Sequence, residues 1–69
     1  MASKPQLKQI ATEAVGASAS NVLMSRIFAT FDQTSDTRVA AAKVEKLVAL
    51  FLGPDQATAL RTRFDEALG

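Results

Sequence analysis

The chain has 69 residues, with eight Lys and Arg set against seven Asp and Glu for a formal net charge of +1. It contains neither Cys nor His, which removes disulfides, thiolate and imidazole metal ligands, and every histidine-based acid–base or nucleophile-activating pair. Hydrophobic residues make up 48% and charged residues 22%, the balance of a globular domain rather than a disordered segment, and the near-neutral charge gives no overall pull toward nucleic acid or anionic lipid.

The first residues, MASKPQLKQIATEAVG, lack the apolar core of a signal peptide, and Glu13 counts against an acid-poor transit peptide. The longest strongly apolar run, LVALFL at residues 47–52, is far short of the roughly 20 residues that cross a bilayer. A soluble, cytoplasmic protein with no membrane partner is expected.

Helix breakers recur at regular intervals, and the apolar residues between them are spaced by three and four, so the expected architecture is all-α. It is a single domain, residues 1–69, built as a bundle of four short helices with tight loops. Pro5 suits the first turn of helix one, whose Leu7, Ile10, Ala11, Ala14 and Val15 share a face before Gly16 stops it. Helix two is expected to be capped by Ser18 or Ser20 and to carry Leu23, Met24, Ile27, Phe28 and Phe31 on one stripe. Asp36 is the natural N-cap of helix three, which runs to Leu52. Gly53 supplies a left-handed stop, Pro54 opens helix four, and Asp55 complements its dipole. Helix four is expected to bury Ala57, Leu60, Phe64, Ala67 and Leu68.

Phe28 to Asp32, FATFD, followed by Asp36 and Val39 at the fifth and eighth positions counted from Asp32, resembles a degenerate EF-hand. The likeness extends over residues 28–47 only. An EF-hand places glycine at the sixth loop position and a bidentate glutamate at the twelfth, where this chain has Thr37 and Lys43; Thr34 stands at the third. The resemblance thus implies a helix-loop-helix without calcium, since a Lys ammonium about 4 Å from the site opposes a divalent ion by several kcal/mol at an effective dielectric of about 20. The plainer reading is that Asp32 closes helix two, Asp36 caps helix three, and Phe28 and Phe31 are core. No metal or cofactor is expected on either reading.

No catalytic residues are assigned. Carboxylates are scattered singly, adjacent Asp65 and Glu66 point about 100° apart on a helix, and no nucleophile elbow, zinc-binding pair or phosphate-cradling glycine loop is present. An enzyme is not expected. The Gly53-Pro54 turn allows a second reading as a DNA-binding helix-turn-helix with helix four as recognition helix and Gln56, Thr58, Arg61, Thr62 and Arg63 as readers. Against it, the outward face of helix four centres on Asp55, Thr58, Ala59, Thr62 and Glu66, so that carboxylates lie where phosphates would.

Helix three is apolar on more sides than a surface helix needs. On a wheel of about 100° per residue starting at Val39, an arc from about 80° to 180° takes Ala40, Val44, Leu47, Val48 and Phe51, with Ala41 and Leu52 extending it. Val39 and Leu50 fall outside, near 0° to about 20°, on a strip shared with Lys43 and Lys46. This strip is the expected interaction site. It points to a non-catalytic helical protein–protein interaction or oligomerisation module, an adaptor or regulator, with a partner protein or a second copy, as a homodimer, on Val39, Lys43, Lys46 and Leu50. An intramolecular alternative has the N-terminal arm, residues 1–5, or helix one lying over Leu50. Nucleic acid is the less favoured partner.

Overall fold

The first helix, α1, spans Lys4–Val15 in a computed structural model that describes residues 3–69. Ser3 caps it, its hydroxyl accepting from the Gln6 amide, and Pro5 lies in the first turn, where a missing amide hydrogen loses no bond. Gly16 does not take the left-handed geometry of a usual glycine stop. Its φ of −59° and ψ of −35° are right-handed, and the turn tightens as the Ser18 and Ala19 amides both donate to the Val15 carbonyl. Glycine is required there by space, because an added β-carbon would stand 2.3 Å from the Thr12 carbonyl oxygen.

Of the two candidate caps for α2 (Asn21–Gln33), Ser20 is the one used, its hydroxyl accepting from the Leu23 amide. Asp36 caps α3 (Thr37–Leu52) as the sequence suggested, one carboxylate oxygen accepting from both the Arg38 and Val39 amides. A single residue, Gly53, separates α3 from α4 (Pro54–Leu68). Its φ of 97° is positive, but its ψ of 165° takes it out of the left-handed helical region into one that is essentially glycine-only. Gly53 therefore ends one helix and starts the next: its amide donates to Ala49, and its carbonyl accepts from Ala57.

These breaks fold the chain into an all-α bundle in which consecutive helices pack together and α1 closes the ring against α4. The principal extents are 27 × 21 × 17 Å. Leu7, Ala11 and Val15 of α1, Leu23, Ile27 and Phe31 of α2, Ala40, Ala41, Val44 and Val48 of α3, and Ala57, Leu60, Phe64 and Leu68 of α4 form the core. Phe31 and Phe64 meet edge to face across the bundle, with centroids 5.9 Å apart, a favourable arrangement of ring quadrupoles. No buried side-chain polar atom among the described residues lacks a partner.

Two aromatic residues assigned to the core are not in it. Phe51, on the inward arc of the wheel, is 47% exposed. It lies in the last turn of α3, one residue before Leu52, which packs against the core but stays partly accessible. Phe28 is 38% exposed at the edge of the α1–α2 contact, where the Lys8 ammonium lies 5.6 Å from its ring centroid and supplies a cation–π contact in place of full burial. Ile10, Ala14, Met24, Leu47, Leu52 and Ala67 pack against the core but remain partly accessible. No helix among the described residues is long and apolar enough to cross a membrane.

Candidate functional site

Asp32 and Asp36 are both engaged within the fold. The Asp32 carboxylate accepts a hydrogen bond from the Lys8 ammonium of α1, and Asp36 is held by the first amides of α3. Only residues 34–36 lie between α2 and α3, and Thr37 to Lys43, which would complete an EF-hand loop, are in the first two turns of α3. Among the described residues no three metal-ligating side chains come together.

The arginines of the candidate recognition helix are likewise engaged. Arg61 donates through Nε to Asp65 at 3.0 Å and through a terminal nitrogen to Glu45 of α3 at 2.8 Å. Its pKa is raised, first by the hydrogen bond to Asp65 and then by the one to Glu45, so the guanidinium is bound into a three-residue bridge across the α3–α4 seam. Arg63 faces Glu13 of α1 at 4.0 Å. Gln56 is half-buried, and Thr62 turns its hydroxyl back to the Thr58 carbonyl. A phosphate would have to displace these partners.

The strip on α3 is differently placed. Val39 is 45% exposed and Leu50 83% exposed, and Lys43 and Lys46 between them are also exposed. All four side chains lie along one line of the helix, at intervals of four, three and four residues. Helix α1 packs against α2 and α4 and leaves Leu50 uncovered. Of the N-terminal arm, Met1 and Ala2 lie outside the described residues, and from Ser3 onward the chain leaves Leu50 open.

The exposed surface also extends further than the strip. A shallow groove between α2 and α3 is lined by Arg26, Ala29, Thr30, Gln33, Lys43 and Leu47, and a second depression along α2, lined by Asn21, Val22, Ser25, Arg26 and Ala29, adjoins it. The two meet at Arg26 and Ala29, and the shallow surface they make together is termed the trough. Val22, 60% exposed, lies at one end. The sequence reading missed Val22, Arg26 and Ala29 as members of a surface and placed Leu47 in the core. The signal for the first three was present: with Leu23 at zero on the α2 wheel they cluster between about 240° and 300°, away from the core stripe. The sequence could not show that α3 would lie beside that face.

Three cations on this side, Arg26, Lys43 and Lys46, have no carboxylate within 4.0 Å among the described residues, whereas Lys8, Arg61 and Arg63 each have one. Neither depression has a carboxylate in its lining. The outer face of α2 and α3 is therefore locally basic in a chain of net charge +1. Comparison of the chain with protein-family models, with curated proteins and with solved structures finds no match.

Proposed function

We propose that the protein is a non-catalytic helical interaction module that binds another protein chain, a separate partner or a second copy of itself, through the strip Val39, Lys43, Lys46 and Leu50 of α3. The observation that carries this reading is Leu50, which is 83% exposed on a helix whose opposite face carries the buried Ala41 and Val48. Burying one such leucine contributes about 1.5 to 3 kcal/mol, so the two of a symmetric contact supply about 3 to 6 of the roughly 8 kcal/mol of a micromolar dimer, with Val39 of each copy adding to it.

The competing reading is a nucleic-acid-binding domain using the Gly53-Pro54 turn. It is less favoured because Arg61 and Arg63 face carboxylates and because Asp55 and Glu66 are exposed on the same helix.

Light scattering over a range of concentrations, with circular dichroism on wild type and Leu50→Glu, separates the possibilities. A wild-type mass above the monomer that falls to the monomer in a fully helical Leu50→Glu chain gives the self-associating form. A monomeric wild type leaves a separate partner as the occupant of the strip. Loss of helicity in Leu50→Glu overturns the reading, since Leu50 would then serve the fold. Salt-dependent binding of duplex DNA that is abolished by Arg61→Ala would favour the alternative.

A further inference from the structure

Arg26 and Lys43 rise from the trough between α2 and α3 with no carboxylate to balance them, and Lys46 stands on the next turn of α3. Around the cations the lining mixes apolar Val22 and Ala29 of α2 and Leu47 of α3 with the uncharged polar side chains of Asn21, Ser25, Thr30 and Gln33, and it holds no carboxylate. We propose that this trough seats an acidic amphipathic helix of a separate partner protein. The proposal rests on the reading of the protein as an interaction module and extends its surface from the α3 strip onto α2.

The dimensions and chemistry agree on this occupant. The trough follows α2, whose 13 residues span about 20 Å at about 1.5 Å per residue, matching roughly three and a half turns of a docked helix. Helix-in-groove recognition uses apolar anchors at intervals of three and four residues, and Val22, Ala29 and Leu47 provide the apolar floor for them. Acidic side chains flanking those anchors would meet Arg26 and Lys43, giving attraction that steers encounter and fixes orientation.

The other occupants fit less well. An isologous contact between two copies across the trough sets Arg26, Lys43 and Lys46 against the same cations. A head-to-tail contact would have to use the exposed acids of α4, Asp55 and Glu66, whose outward neighbours Thr58, Ala59 and Thr62 offer no large apolar anchor. On a lipid surface cations belong at the rim with apolar groups inserted between them, yet on α3 Lys43 and Lys46 lie between Val39 and Leu50. Phosphates of a nucleic acid would pair with the cations but leave Val22 and Leu50 uncovered.

The test uses two labelled, capped helical peptides of the same length. Each carries Leu or Phe anchors at positions i, i+4, i+7 and i+11; the flanking positions are Glu in one and Lys in the other. Fluorescence anisotropy measures binding, and the amide spectrum of the full chain locates it. The acidic peptide should bind at least tenfold more tightly than the basic one, weaken as salt is raised, and shift the amides of Arg26, Ala29, Lys43 and Leu47. Arg26→Glu and Lys43→Glu should each reduce its affinity about tenfold and leave the rest of the spectrum in place, and together they should favour the basic peptide. Equal binding of both peptides, absence of binding, or shifts confined to another face would overturn the proposal. So would shifts of the same amides produced by anionic vesicles, by duplex DNA or by raising the protein concentration alone, with none from the acidic peptide. If the peptides fail while Leu50→Glu still dissolves a wild-type oligomer, the interaction reading stands and the acidic-helix proposal falls. If the peptides fail and Leu50→Glu loses its helicity, neither survives.

Discussion

The α4 side of the bundle and the α2–α3 side are built from similar residues and finished differently. On the α4 side Arg61 is tied to Glu45 and Asp65, Arg63 faces Glu13, and the large apolar side chains Leu60 and Phe64 are buried completely. On the α2–α3 side Arg26, Lys43 and Lys46 have no acidic partner, while Val22, Val39, Leu50 and Phe51 are open to solvent. Scattered exposed hydrophobics are ordinary on small proteins. Arg38 of α3 also lacks a carboxylate but donates to the Leu68 carbonyl; around the trough, exposed apolar side chains coincide with three cations that have no acidic partner. One face pairs its arginines and hides its large apolar side chains; the other leaves both in solvent.

Paired leucine truncations make the largest test of that contrast. Leu60→Ala should destabilise the fold by about 2 to 5 kcal/mol, because the fully buried side chain leaves a cavity. At roughly 4 to 8 °C per kcal/mol for a domain of this size, its melting temperature should fall by about 8 °C or more. Leu50→Ala should change stability by no more than about 0.5 kcal/mol. Similar losses at the two positions, measured by thermal unfolding of the monomer, would erase the distinction between the sides.

A smaller effect is expected at the joint between α3 and α4. Gly53→Val forces a β-branched residue into a positive-φ region reserved for glycine and should cost about 1 to 3 kcal/mol. No atom lies within 4 Å of the position its β-carbon would take, so the loss would come from backbone strain alone. An unchanged unfolding midpoint would mean that the helices join in another way and that the ion bridge from Arg61 to Glu45 is not held by this turn.

Asp36→Ala should remove the cap of α3 and cost about 1 kcal/mol, with Asp36→Asn retaining most of the stability because its amide oxygen can accept the same bonds. Since Asp36 is the cap and not a metal ligand in this reading, calcium at millimolar concentration should leave the amide resonances of residues 32–43 in place in wild type and variant alike. Saturable shifts below about 0.1 mM, within the EF-hand range, would restore the loop as a metal site.

Least in stability, yet most direct for the comparison, are the charges. Arg61→Gln breaks one exposed and one half-buried ion pair and should cost up to about 1 kcal/mol, whereas Lys43→Gln breaks none and should leave the unfolding midpoint unchanged. The same pair of variants should behave oppositely in binding the acidic peptide, with Lys43→Gln impaired and Arg61→Gln unaffected.

The sequence by itself determined the helices and most of their ends. Helix boundaries depend on neighbours in the chain: Ser20 and Asp36 accept from amides two or three residues away, Pro54 has no amide hydrogen to lose, and Gly53 permits a φ that other residues resist. Spacing by three and four likewise determined most of the core, since a face repeating at that interval must be hidden if the chain is to fold. What only the tertiary structure decided is which hidden faces meet and how completely each is covered. Phe51 points inward on the wheel of α3 yet is 47% exposed in its last turn, and Phe28 sits at the surface beside the Lys8 ammonium. Val22, Arg26 and Ala29 share a surface with Lys43 and Leu47 only because α2 and α3 pack side by side. Burial and charge pairing are properties of what surrounds a residue, and for this surface the surroundings come from another helix, beyond the reach of any periodicity within one.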